Sequence, residues 1–185
     1  EDNSIVPTPI KQINRLTNAG GYAKGSIMVI LDKPKKFKTG MLLNLAIGYM
    51  KMRKRVLIID LENGEDEYMA RIEQSLTNST KLDIITGEAD QKVQKTLRKY
   101  KRLGSELVVI RLPALKTTGN DISRLLTSMG NELGLYFQVL IVDYAALLGS
   151  NNNIKEETER IGAVYLDLAN LAKEHDIDHL WTANH

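Results

Sequence analysis

Five short runs of consecutive apolar residues punctuate the chain: IMVIL at 27–31, VLII at 56–59, LVVI at 107–110, VLIV at 139–142 and a weaker Leu180-Trp181. Apolar positions that follow one another without alternating belong to strands covered on both faces, as in a parallel sheet. Between the runs the spacing turns helical. Residues 40–52 place Leu42, Leu43, Ala46, Ile47 and Met50 on one face, and residues 121–135 do the same with Ile122, Leu125, Leu126, Met129 and Leu133. The longest such stretch, 156–174, carries Ile161, Val164, Tyr165, Leu168, Leu171 and Ala172 at helical intervals. Residues 90–103 turn Val93, Leu97 and Tyr100 inward among six cations, and a further helix is expected over 65–76. Near the start, Thr8 as cap and Pro9 at the first helical position predict a short helix, with Gly20-Gly21 at or just past its end.

Strand and helix alternate throughout. The economical fold is therefore α/β, a mostly parallel sheet with right-handed crossovers that put helices on both faces. Residues 1–20 are expected to form a linker with a short helix, and 21–185 a single nucleotide-binding core. Asn151-Asn152-Asn153 marks a flexible loop.

Composition narrows the classes. Of the 185 residues, 43% are hydrophobic and 26% charged, as in ordinary globular proteins, so disorder is a poor account of the chain. No run approaches the roughly 20 apolar residues that span a bilayer, so no membrane partner is expected and a cytoplasmic location is the default. The chain has no cysteine, which excludes disulfides and thiolate metal sites, and His175, His179 and His185 are too scattered for zinc. A net charge of +2 does not by itself demand nucleic acid.

The chemistry begins where the first run passes directly into Asp32-Lys33-Pro34-Lys35-Lys36-Phe37-Lys38-Thr39-Gly40 and then a helix. Strand, tight loop and helix N-terminus are the context of a phosphate-binding P-loop. N–H groups of the loop and first helical turn would face phosphates. On this reading Lys35, Lys36, Phe37, Lys38, Thr39 and Gly40 contact nucleotide, Lys38 reaches the terminal phosphates and the Thr39 hydroxyl coordinates magnesium. Asp32 and Phe37 occupy the two glycine positions of G-x-x-x-x-G-K-[ST], which matters wherever the backbone needs positive φ or close phosphate approach.

Two further runs end in acid. The fourth closes as Val142-Asp143-Tyr144, an apolar strand delivering a carboxylate to the sheet edge, where Asp143 would hold magnesium. The second closes as Asp60-Leu61-Glu62, and Glu62, just past the strand, is placed to orient and deprotonate an attacking water. Taken singly, an acid there also serves a following helix dipole. Three strand ends bearing Lys-Thr, Glu and Asp would share one edge of a parallel sheet, which is where ligands of such folds bind.

With these motifs in order, the chain resembles the motor domain of DnaB-type replicative helicases, a RecA-like P-loop ATPase, from about Pro7 to His185. Leu140-Ile141-Val142-Asp143-Tyr144 followed by Leu147-Leu148 is similar to the family's Walker B signature, Lys38-Thr39 to the end of Walker A, and Asp60-Leu61-Glu62 to the segment bearing its catalytic glutamate. The resemblance implies an ATP- and Mg2+-dependent hexamer moving along single-stranded DNA. It also implies that His185 senses the terminal phosphate and that the loop of about 149–155, through Lys155, meets DNA. The family's further strands and arginine finger have no match here, so the chain is expected to be truncated at its C-terminal end. Another RecA-type ATPase (a recombinase or regulatory ATPase) and a non-hydrolysing nucleotide- or DNA-binding scaffold are the alternative readings. The basic cluster Lys51, Arg53, Lys54 and Arg55 is explained by a helix C-terminus, and the basic face of 90–103 by solvation.

Overall fold

The computed structural model describes residues 4–31, 33 and 37–184. Strands β1 (Ile5–Val6) and β2 (Tyr22–Ala23) form a small antiparallel pair that brackets helix α1 (Lys11–Asn14). There follow β3 (Ser26–Leu31), α2 (Lys38–Lys51), β4 (Arg55–Asp60), α3 (Glu65–Thr77), α4 (Lys81–Thr86), α5 (Asp90–Arg102) and β5 (Glu106–Arg111). The chain then makes α6 (Gly119–Leu133), β6 (Val139–Asp143), a 3-10 turn at Ala145–Leu147, α7 (Glu157–Glu174) and β7 (His179–Asn184). All five apolar runs become strands of one parallel sheet ordered β3-β7-β6-β4-β5, so their carboxyl ends share an edge.

Alternate residues of the central strands feed two cores. Leu57, Ile59, Leu140 and Val142 pack against α6 and α7 through Ile122, Leu126, Val164, Leu168 and Leu171. Val56, Ile58, Val139 and Ile141 meet α2 and α3 through Leu42, Tyr49, Tyr68 and Ile72. Helices lie on both faces, as the unbroken apolar runs require. Among the described residues no helix is long and apolar enough to cross a membrane.

Several expectations need correction. The first run is not covered on both faces: β3 is an edge strand paired only with β7 among the described residues, and Val29 and Leu31 are exposed. Leu133 falls on the last turn of α6, ahead of left-handed Gly134, and is 70% exposed rather than part of the core. Helix α1 starts after Ile10, not at Thr8-Pro9. The Thr8 hydroxyl instead accepts from the Ile10 N–H at 3.1 Å, and Pro9 docks onto α2 at Gly48, where any Cβ would overlap the proline ring. The triple-asparagine segment is a tethered turn. Asn151 N–H donates to Asp167 Oδ2 at 2.9 Å, its Oδ1 accepts from Asn120 N–H at 2.8 Å, and Ile154 N–H donates to Ser150 Oγ at 2.8 Å.

A buried polar chain fastens the opposite end of the sheet. Trp181 Nε1–H donates to Tyr49 Oη at 2.8 Å, leaving the tyrosine proton for His179 Nδ1 at 2.6 Å. The other ring nitrogen, Nε2, then carries the proton and donates to the Tyr22 carbonyl at 3.3 Å, joining β2 to β7 and α2. Burial holds the His179 imidazole below its ordinary value of 6.5, against the opposing pull of the Tyr22 carbonyl and Asp178, with Lys54 acting in the same sense as burial. A histidine with a lowered folded value contributes stability that is full above its unfolded value and is lost as pH falls through the folded one. The thermal unfolding midpoint is therefore expected to drop as pH is lowered from 7 towards 5. In His179→Gln that part of the slope should flatten, and equal slopes in the two proteins would contradict the assignment.

Candidate functional site

The carboxyl edge of the sheet gathers most of the residues singled out in the sequence. Helix α2 begins at Lys38, immediately after the loop that leaves β3. Its first intrahelical bond is made by Met41 N–H to the Phe37 carbonyl at 2.8 Å, so the N–H groups of Lys38, Thr39 and Gly40 precede the helical ladder. Phe37 has φ −58°, so the backbone there asks for no glycine, and its ring is 87% exposed at the rim. Lys38 is buried, and its Nζ donates to the Lys33 carbonyl at 2.7 Å. Asp32, Lys35, Lys36 and His185 lie outside the described residues.

Asp143, the last residue of β6, is 1% exposed. Its Oδ2 accepts from the Thr39 hydroxyl at 3.0 Å, from the Asn63 amide at 3.3 Å, and from the Tyr68 hydroxyl. Burial pushes its carboxyl above the ordinary carboxylate range, and the charges of Glu62 and Asp60 push the same way. The hydrogen bonds from Tyr68 and Thr39 oppose the shift. Burial likewise raises the Tyr68 hydroxyl, with the Asp143 charge adding to it, so this tyrosine is a firm donor.

Glu62 stands one residue beyond Leu61 on an exposed turn, its N–H donating to Asp60 Oδ1 at 3.2 Å. Together with Phe37, Lys38, Thr39, Gly40, Asn63 and Asp143, Glu62 lines a cavity of about 360 Å³. Arg71 of α3 lines the same cavity while paired with Glu67 one turn back. The sequence reading did not single out Asn63, Tyr68 or Arg71. Arg71 and Tyr68 reach the cavity only because α3 packs beside α2, and the sole local signal was their position a few residues past an acidic strand end. Lys155 is exposed on the loop after β6, held in place as Arg160 Nη1 donates to the Ala146 carbonyl at 2.9 Å and to that of Leu148.

The donor set suits a small hard cation. Thr39 Oγ1 and Asp143 Oδ2 are oxygen ligands at neighbouring positions beside a helix N-terminus, as expected when magnesium keeps several waters and takes one or two protein oxygens with phosphates. Among the described residues no three carboxylates or imidazoles converge to form a closed metal cage.

A parallel α/β sheet with a lysine-threonine helix start facing a strand-end aspartate is the architecture of a P-loop ATPase domain. Residues 6–181 match the family model of the DnaB-like helicase C-terminal domain, and the chain belongs to that family. It is 25% identical over 179 residues to the replicative DNA helicase DnaB of Helicobacter pylori, covering 93% of this chain and 35% of that protein. To the DnaB-like replicative helicase of Enterobacteria phage T4 it is 26% identical over 185 residues, covering 96% and 38%. The chain thus spans little more than a third of these relatives. The ATPase domain of G40P superposes with a TM-score of 0.74 at 18% identity, over 98% of this chain and 65% of that one. A DnaB-like replicative helicase studied with its primase interactions gives 0.73 at 18% identity, over 99% and 44%. At that identity the likeness establishes the fold.

Because Tyr68 is buried and donates to a charged group, Tyr68→Phe should cost about 2 kcal/mol of stability. Urea unfolding of the two proteins measures the difference, and an unchanged midpoint would show that the hydroxyl contributes nothing.

Proposed function

We propose that this chain is the ATP-hydrolysing motor portion of a replicative DNA helicase, coupling hydrolysis to movement along single-stranded DNA. The observation that carries the reading is the convergence of Lys38, Thr39, Glu62 and Asp143 on one cavity at the carboxyl edge of the sheet. Membership of the DnaB-like family supports it.

The residues divide the work as follows. The first-turn N–H groups of α2, with Phe37 and Gly40 beside them, receive phosphate oxygens at the positive end of the helix dipole. Lys35 and Lys36 add cationic charge from the preceding loop. Lys38 exchanges the Lys33 carbonyl for the β and γ phosphates. Bound magnesium, held by Thr39 and Asp143, would neutralise charge on the same oxygens. Glu62 accepts the proton of a water that attacks the γ phosphorus in line, as the bond from phosphorus to the β-γ bridging oxygen breaks. Arg71 lies close enough to leave Glu67 and face the developing charge. His185, which follows β7 at the same edge, is assigned to sensing the γ phosphate. Single-stranded DNA and a ring of six copies complete the proposal, with Lys155 reaching a DNA phosphate.

Calorimetric titration with Mg-ATP, run beside Lys38→Ala, tests the nucleotide site. The parent is expected to bind and the variant to lose at least tenfold in affinity, on the order of 1.4 kcal/mol. A folded parent that does not bind would count against the reading and favour a scaffold without nucleotide.

Lys155→Ala should weaken binding to single-stranded DNA uniformly across sequences and reduce the slope of log affinity against log salt by about 0.7, the value for one phosphate contact. Fluorescence anisotropy at several salt concentrations reads both quantities, and an unaltered slope would remove Lys155 from the DNA path.

A further inference from the structure

Asp60 closes β4 in register with Asp143, which closes β6. Neighbouring parallel strands lie about 4.8 Å apart, and residues in register point to the same face. Here that is the face packed by α2 and α3, since Ile58 and Ile141, two residues earlier in each strand, both belong to that core. Two carboxylates therefore stand side by side beneath the cavity. Asp60 is completely buried.

The two carboxylates are treated very differently. Asp143 Oδ2 collects Thr39, Asn63 and Tyr68. Asp60 Oδ1 accepts the N–H groups of Glu62 at 3.2 Å and Asn63 at 2.8 Å, which shapes the turn carrying the water-activating glutamate. Asp60 Oδ2 has no hydrogen-bond partner among the described residues. A buried carboxylate oxygen without a donor is costly, and doubly so beside a second carboxylate. Shaping the turn needs only Oδ1 and would be met by asparagine, serine or threonine, so it does not explain a second, charged oxygen here. A hydrated divalent cation does, because magnesium surrenders its waters reluctantly and those waters donate hydrogen bonds to neighbouring anions.

We propose that Asp60 is an outer ligand of the site's divalent cation, holding one of its waters through Oδ2 while Thr39 and Asp143 take the inner positions. This rests on the nucleotide site proposed above and extends it. With a second carboxylate behind the first, the chain holds its cation without waiting for the phosphates of a nucleotide.

The test uses the whole chain and Mn2+ alone, followed by electron paramagnetic resonance of the free ion, with ATP binding in EDTA measured separately by calorimetry. Asp60→Asn keeps an oxygen for the Glu62 and Asn63 N–H groups and removes only the charge. Its Mn2+ affinity is expected to fall roughly tenfold, as for loss of one unit charge near a dication in a partly hydrated site. Its affinity for metal-free ATP should stay the same or rise. Equal Mn2+ affinity in parent and variant, or no Mn2+ binding by the parent, would overturn the proposal. If Asp60→Asn fails to fold, Asp60→Ser supplies the same comparison through its hydroxyl. Failure of the parent to bind ATP in EDTA would count against the nucleotide reading, while the Mn2+ titration would still decide the role of Asp60.

Discussion

The burial of Asp143 is the constraint on which the carboxyl edge depends. A carboxylate out of water must be surrounded by donors or by positive charge, and this one recruits partners from three separate elements. Thr39 comes from the first turn of α2, Asn63 from the turn after β4, and Tyr68 from α3. Satisfying one side chain thus draws the phosphate-facing helix, the glutamate-bearing turn and the Arg71 helix around a single point. The cavity is the space those three leave between them.

Helix α2 connects that edge to the rest of the molecule. Its N-terminal residues belong to the site, while Tyr49, near its other end, sits in the hydrogen-bonded chain with Trp181 and His179. Fourteen residues make a rod about 21 Å long. Both ends are pinned by polar contacts inside apolar surroundings, where each bond is strong and each omission expensive. Pro9 against Gly48 and Tyr22 against His179 tie the N-terminal segment to the same helix and strand. The segment before β3 is therefore packed into the core's polar scaffold rather than trailing from it.

Much of this was legible in the chain. Strands buried on two faces show as unbroken apolar runs, and the acids at 62 and 143 lie where such runs stop. What escaped were features made by tertiary packing or by very short elements. The β1–β2 pair consists of two residues on each side, too few for any period to register. Helix α4 was passed over although Thr80 and Asp83 form a capping box, a signal that could have been read. That Asp60 and Asp143 are neighbours follows from strand order, which local pattern does not encode. Leu133 and the exposed half of β3 looked like core because hydrophobicity marks an amphipathic face without saying where the opposing layer ends. Thr8-Pro9 has the composition of a helix start, but docking on Gly48 took the proline for packing instead.

The position of β3 at the margin of the sheet carries a different consequence. An edge strand presents backbone N–H and C=O groups to which another chain can add, and outward Val29 and Leu31 would favour that addition. The segment that follows contains Lys33, Lys35, Lys36 and Lys38. If two copies stacked side by side in the same direction and register, these ammonium groups would be brought face to face. Charge placed for phosphate thereby also discourages the chain from templating its own fibres.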